Sequence, residues 1–432
     1  MRFHSSKLRH ANQVSDPGTS LGGWWARLRQ QRRRRRSRVV AVGIEQIEDR
    51  CLLAGVVEMS LSNAGNLTLT GDAMNNQLQL SVFNADFGRV SGVGGTQIEF
   101  DGVTAPVQFF PLELTTTVVG EFPALAGNLT INTGSGDDSV EVFGTSGPLS
   151  PFVIEGRLNV DLGAGADVFE QSISYVGANA RIRGGSGAMP DSIRIEEAFF
   201  FGDTLIDTGD VGGGIDQITI DQGNFLDVEL RGGSGITEVS FHDSVANGDL
   251  GIFTGNDDDQ IFVSESFVFS DLRIDSGTSS HDPPGDYIQL GSSTIFEDLR
   301  ISGRQGRQTI EFLPSAPGND MDVGGDTLIT TGPGRDIVRM HDDAPLTFHG
   351  NVRLRMGGGS DQVDVQDNVE FLGNLAISGG GGSDAVLFSS AVSVDGNGQL
   401  NGGSGNDLLT MTYEFATWLS GLPNVSSFEE II

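Results

Sequence analysis

The feature that most constrains this chain is a glycine turn that returns with strands on both sides. In Asn128 to Phe143, NLTINTGSGDDSVEVF, Leu129 and Ile131 alternate with polar neighbours, Gly134-Ser135-Gly136-Asp137 supplies turn chemistry, and Val140 and Val142 alternate again. An apolar period of two on each side of a turn is strand, turn, strand, and no helix has it. Variants recur to the C-terminal end. Aligned on the residue three before the turn, the copies place Ile131, Val160, Ile182, Ile206, Leu230, Ile252, Ile274, Ile301, Ile329, Leu354, Ile377 and Leu400 in one column, at spacings of 22 to 29 residues. The mean of about 24 lies in the range of solenoid repeats.

Each copy holds an inner strand such as Asp271 to Asp275, a second strand such as Asp259 to Glu265, and a shorter apolar piece such as Ser266 to Ser270. Three short strands and three bends describe one coil of a parallel β-helix. The expected fold is therefore all-β, a single-chain parallel β-solenoid of about twelve coils over residues 128–408. Stacked at about 4.8 Å, the coils make a rod on the order of 58 Å long. One copy cannot bury its apolar face alone, so the stack makes the core. Glycine, 62 of 432 residues, is about double the usual share of roughly 7%, as so many turns require. The longer copies carry Pro, Gly, Ser and Asp at Thr145 to Gly156, Thr278 to Gly285 and Pro314 to Gly325, which read as projecting loops.

The ends differ from the array. Residues 56–127 hold an imperfect copy at Asn66 to Phe83 and a Gly/Val-rich stretch that also reads as strands, so this region is expected to begin and cover the stack. Residues 409–432 gather Phe415, Trp418, Leu419, Leu422 and Phe428 into an expected C-terminal cap. Residues 1–55 form a polar arm, with the run Arg32 to Arg36, that reads as disordered.

Charge separates arm from body. Residues 1–50 carry 12 Lys+Arg against 4 Asp+Glu, leaving 14 against 54 in the remainder, a net of +8 and −40. A body at −40 repels nucleic-acid phosphates and anionic lipid. The partners to expect are cations, cell-wall or other extracellular polymers, or other surface proteins, with no nucleic acid. No run reaches the roughly 18 apolar residues of a spanning helix. A single cysteine, Cys51, permits neither an internal disulfide nor a cysteine metal cluster.

The arginine run fits a positively charged export region, although Glu45 interrupts the apolar segment from Val39 to Ile44. Just after it, Ile44 to Gly55, IEQIEDRCLLAG, resembles the short N-terminal motif of the planctomycete extracellular protein family, matching at Glu45, Ile47, Glu48, Arg50, Leu52 and Leu53. That resemblance covers about a dozen residues. It implies export to the surface or exterior of a bacterium and says nothing of what the body does.

The alignment also stacks an acidic residue two before the first apolar residue of the second strand. This column holds Asp138, Asp167, Asp191, Asp216, Asp259, Asp286, Asp336, Asp361, Asp384 and Asp407, with Thr237 and Gln308 in the two other copies. Carboxylates about 4.8 Å apart repel by roughly 1 kcal/mol in water and roughly 3.5 kcal/mol at an effective dielectric near 20. Two devices would offset this. Each carboxylate accepts N–H bonds from its own glycine turn, or calcium bridges neighbours through oxygen ligands. The turns resemble the Gly/Asp turns of RTX calcium-binding repeats, with one turn per coil in place of the nine-residue RTX period. The calcium version assigns Asp138, Asp167, Asp216, Asp259, Asp336, Asp361, Asp384 and Asp407 as ligands.

No HExxH, GxSxG, P-loop or CxxC pattern occurs, and Lys7 is the only lysine. His242-Asp243, His281-Asp282 and His341-Asp342-Asp343 place adjacent residues on opposite strand faces and read as solvated. The expected function is a non-enzymatic structural or adhesive protein of the cell surface. The alternative is a polysaccharide lyase or hydrolase on the same fold, for which Arg339, Arg353 and Arg355 near Asp336, Asp361 and Asp364 are the place to look; charge pairing between strands is the other account of those residues.

Overall fold

The structure, a computed structural model, describes residues 55–84, 87–100, 119–123, 125–145, 151–187, 189–211, 214–279, 284–314, 320–340, 344–389, 392–411 and 425–431. The basic arm, the export-type motif, most of the C-terminal aromatic group, His281 and His341 lie outside these residues. The described residues form strands, turns and bends without helix, and they belong to one unit, Leu52–Ile432.

The twelve aligned residues are direct register partners in one parallel sheet. Ile131 pairs with Val160, Val160 with Ile182, Ile182 with Ile206, and so on to Ile377 with Leu400. The stack continues one rung beyond this span at each end, since Leu69 pairs with Ile131 across 62 residues and Leu400 pairs with Val425. This first sheet feeds through the glycine turn into a second face, Ser139–Phe143 and its equivalents, and then into a short third face. The fold is the expected parallel β-solenoid.

Alternation explains the core. In each rung alternate residues of the first sheet and second face point inward and are mostly apolar, as with Leu129 and Ile131 at 0% and 1% exposure and Val140 and Val142 at 0%. The third face adds inward aromatics that stack between rungs: Phe200 on Phe225 with centroids 4.9 Å apart, and Phe348 on Phe371 at 5.3 Å. Parts of two expected loops belong to this face. Phe152–Ile154 lies within Thr145 to Gly156 and Met321–Val323 within Pro314 to Gly325, and both pair with neighbouring rungs. Their Pro and Gly neighbours hide strands of only three residues.

The bend between second and third faces turns on one left-handed residue per rung: Ile173 (φ 46°), Glu197 (47°), Gln222 (54°), Asp243 (44°), Glu265 (52°) and Ser292 (44°). Such a residue folds the chain sharply without lengthening it, and a β-branched side chain there is strained. Replacing Ile173 with Asn is expected to stabilise the protein by about 1 kcal/mol, read as a higher denaturation midpoint; a lower one would show that Ile173 contributes more by packing than it costs in strain.

At the N-terminal end the direction reverses. Val56–Leu61 pairs antiparallel with Leu67–Thr70, and Gln77–Asn84 pairs antiparallel with Phe87–Gly92. Parallel pairing persists beside these, between Val56–Leu61 and Gln97–Phe100 and between Leu67–Thr70 and Leu129–Asn132. At the other end Phe428 packs, partly buried, against the core.

Candidate functional site

The carboxylate column lies inside the solenoid. Asp138, Asp167, Asp259, Asp286, Asp361 and Asp407 are each 1–2% exposed, and Asp336 is 0%. The column sits at the corner where the glycine turn delivers the chain from first sheet to second face, opposite Thr133, Thr208, Thr254 and Ser276 at the ends of the inner strands. Each carboxylate accepts an N–H from the equivalent residue one rung earlier, where the expectation was a bond from its own turn. Asp138 N–H donates to Asp167 Oδ1 at 2.7 Å, Asp167 N–H to Asp191 at 2.9 Å and Asp191 N–H to Asp216 at 2.8 Å. Further along, Asp336, Asp361 and Asp384 donate to Asp361, Asp384 and Asp407 at 2.8, 2.9 and 2.9 Å.

The ladder has ends and gaps. Asn76 takes the first rung, its N–H donating to Asp138 Oδ1 at 2.6 Å, and Glu429 Oε2 accepts the last N–H, from Asp407, at 2.6 Å. At Thr237 and Gln308 the side chain does not take over the carboxylate's role, and the N–H of Asp286 turns instead to the Arg307 carbonyl at 2.9 Å. Both gap residues still donate onward, Thr237 to Asp259 at 2.7 Å and Gln308 to Asp336 at 2.8 Å.

The second oxygen has a different fate. Oδ2 of Asp138, Asp167, Asp216, Asp259, Asp286, Asp361, Asp384 and Asp407 is buried without a hydrogen-bond partner. Burial penalises the charged form, and the N–H bond to Oδ1 only partly offsets it. The result pushes Asp259 up to about 8, Asp167, Asp286 and Asp361 to about 7, and Asp191 and Asp216 to about 6. Asp138 and Asp384 are raised by the same cause.

A second ladder escaped the sequence reading. The residue just before each inner strand is Asn128, Arg157, Asn179, Asp203, Asp227, Asp249, Asp271, Asp298, Asp326, Asn351, Asn374 and Asn397. Here the carboxylate or amide oxygen accepts from the following rung in most steps: Asp249 N–H donates to Asp227 at 2.9 Å, Asp326 N–H to Asp298 at 2.9 Å, and Asn397 N–H to Asn374 at 2.8 Å. These side chains lie at the solvent-facing corner between third face and first sheet. Asn or Asp three residues before the aligned apolar residue in all copies but one was the available signal.

Beside this corner the outer face of the first sheet is hollowed into an open groove of about 840 Å³. Arg181 and Arg273 stand toward its ends, Leu205 and Gly251 form floor between them, and Asp227 and Asp249 form a wall. Among the described residues Arg157 and Arg181 make no ion pair, and the Arg273 guanidinium lies 5.3 Å from the Phe253 ring centroid. Acid, base and an aromatic ring meet in one concavity here.

The other expected cluster is not assembled. Arg353 and Arg355 lie on the first sheet, whereas Arg339 lies on the second face in register with Asp364 and paired with Glu311. Asp336 and Asp361 are interior. His242 Nδ1 sits 3.0 Å from Ser264 Oγ, and His349 lies 3.6 Å from Asp322.

Among the described residues no three His, Cys, Asp or Glu side chains converge as a metal cage, and no helix is long and apolar enough to span a membrane. No protein-family model, curated protein or solved structure matches the chain. The class the fold defines is a parallel β-solenoid.

Proposed function

We propose that this protein is an exported, non-enzymatic rod that serves a structural or adhesive role at the cell surface, meeting cell-wall or extracellular polymers or other surface proteins. The observation that carries this reading is the pair of side-chain ladders flanking one continuous core, from Asn66 and Asn76 to Asn397 and Glu429. Most rungs are tied to the next at two corners beyond the backbone ladder, a construction suited to stiffness along the axis. The acidic exterior and the export-type motif at Ile44 to Gly55 support placement outside the cell. Mass spectrometry of the mature N-terminus, with protease shaving of intact cells, tests that placement; an intact Met1 in a protease-protected fraction overturns it.

In this reading the buried column is a hydrogen-bonded spine, and calcium has no part in it. Oδ1 is already engaged by an N–H, and one remaining oxygen per rung falls short of the six to eight that calcium takes. The melting midpoint of the full chain is expected to be the same in millimolar calcium and in chelator. A rise of several degrees with calcium would restore the ion-bridged version.

The groove favours a second reading, a carbohydrate-active enzyme. Release of reducing ends or unsaturated uronate from a panel of acidic polysaccharides, abolished by Arg181→Ala, would establish it in place of the first.

A further inference from the structure

We infer that the outer side of the third face is a homodimer interface on which a second copy of this chain packs antiparallel. The outward residues there form two columns across six successive rungs: Tyr175 and Gly177, Phe199 and Phe201, Asn224 and Leu226, Val245 and Asn247, Phe267 and Phe269, Thr294 and Phe296. None of these residues is charged, in a chain that is 19% charged. Charges resume on the flanking rungs, with Glu155 on one side and Asp322 on the other. A charge-free, aromatic centre with an acidic rim is the anatomy of a protein interface.

The exposed area is sufficient. Phe199 is 37% exposed, Phe201 62%, Leu226 44%, Phe267 47%, Phe269 46% and Phe296 47%. Those side chains alone offer on the order of 500 Å² per copy and on the order of 1,000 Å² for a pair, where specific interfaces begin.

Ring orientation selects the occupant. Phe269 and Phe296 stack with centroids 4.6 Å apart and planes 5° apart, and Tyr175 lies 5.0 Å from Phe199 and 6.3 Å from Phe201. In these pairs the rings face one another along the axis, so much of what the solvent meets there is ring edge. A sugar ring stacks on an aromatic face, which lies covered between the paired rings; ridges of ring edges instead interdigitate with matching ridges.

The layout is also self-complementary. Two aromatic groups, Tyr175 with Phe199 and Phe201, and Phe267 with Phe269 and Phe296, flank a lower saddle at Asn224 to Asn247. A two-fold axis lying in the face across that saddle reverses the rung order and keeps the columns. It sets Phe199 against the second copy's Phe267, Phe201 against its Phe269, and Phe296 against its Gly177, while Tyr175 meets its Thr294. Large side chains at the outer rungs face small ones. The rim acids also escape each other, because Glu155 comes opposite Gly324 and Asp322 opposite Val153.

Sedimentation equilibrium of the full chain at about 1–100 µM tests this. A dimer is expected, and Phe201→Glu with Phe269→Glu, both on the solvent side, should weaken it at least about 100-fold with circular dichroism and melting of the monomer unchanged. Phe201→Leu with Phe269→Leu should retain the dimer more nearly. A wild-type monomer throughout this range overturns the inference, whether or not that monomer binds a neutral polysaccharide. So does a dimer that the glutamates leave intact. Either result leaves the surface-rod reading standing, since that reading rests on the ladders and on export.

Discussion

The melting midpoint of this protein is expected to be highest near pH 4–5 and to fall by on the order of 10 °C by pH 8.5. Most proteins lose stability on the acid side of neutrality, where paired carboxylates protonate. Here burial holds the column carboxyls above their unfolded value, with Asp191 and Asp216 near 6, Asp167, Asp286 and Asp361 near 7 and Asp259 near 8. Between about pH 4 and 8 the folded chain therefore binds more protons than the unfolded chain, and stability declines with rising pH across that window. The contribution is complete below the unfolded value of about 3.9 and is lost as pH passes the folded ones. Asp259→Asn separates the charge from the hydrogen bond: the amide oxygen can still accept from Thr237, while nothing remains to ionise. The chain already has an amide at the first rung, where Asn76 Nδ2 donates to the Met74 carbonyl at 2.7 Å and to the Thr133 carbonyl at 2.9 Å. The variant should melt higher than wild type at pH 8 and no higher at pH 4.5. A wild-type midpoint that climbs from pH 5 to 8 would mean that the column is ionised and compensated.

The second large effect concerns the turn that opens each second strand. Gly382 has φ +137°, and a Cβ there would stand 1.5 Å from the Gly359 carbonyl oxygen; at Gly359, φ +146°, it would stand 1.4 Å from that of Gly334. The missing methyl points along the axis into the neighbouring rung, and rungs about 4.8 Å apart cannot separate locally without breaking the sheet. Gly382→Ala is expected to cost at least about 4 kcal/mol, seen as a lower denaturation midpoint and faster hydrogen exchange from residues 352–411. Gly358 is the control. A Cβ there meets nothing nearer than 3.9 Å, so Gly358→Ala should fall within about 1 kcal/mol of wild type. Equal losses in both would place the cause in turn propensity and remove contact between rungs as the explanation.

The period-two pattern made the register legible in detail, because a one-residue slip would have turned every inward side chain outward. Each of the twelve aligned residues found its expected partner. The acidic column was legible as a column, but its bonding was not. A carboxylate beside a glycine turn has nearby N–H groups in its own segment, whereas the N–H it accepts lies 22 to 29 residues earlier, or 62 earlier for Asp138, reachable only once the stack exists. Interiority was hidden for the same reason, since a polar residue next to a turn usually faces water.

The third face was the least legible element. Most of its strands run two or three residues, too short to show a period, and Phe199, Phe201, Phe267, Phe269 and Phe296 look scattered along the chain until the rungs superpose them. Arg339 illustrates the converse. Rung adjacency put it beside Arg353 and Arg355, but only the faces, set by the corners, show that they point different ways.

The two corner ladders run in opposite senses: the interior one passes hydrogen bonds from each rung to the side chain of the next, the exterior one from each rung to the side chain before it. Rungs that carry both side chains therefore present the same plug and socket above and below, whatever their core residues; those at Thr237, Gln308 and Arg157 do not. Duplicating or deleting one of the rungs between Asp336 and Asp407, where both ladders are continuous, would leave the connections matched, with Asn76 and Glu429 still closing the ends. Length is thus a quantity that such a gene can change in single steps.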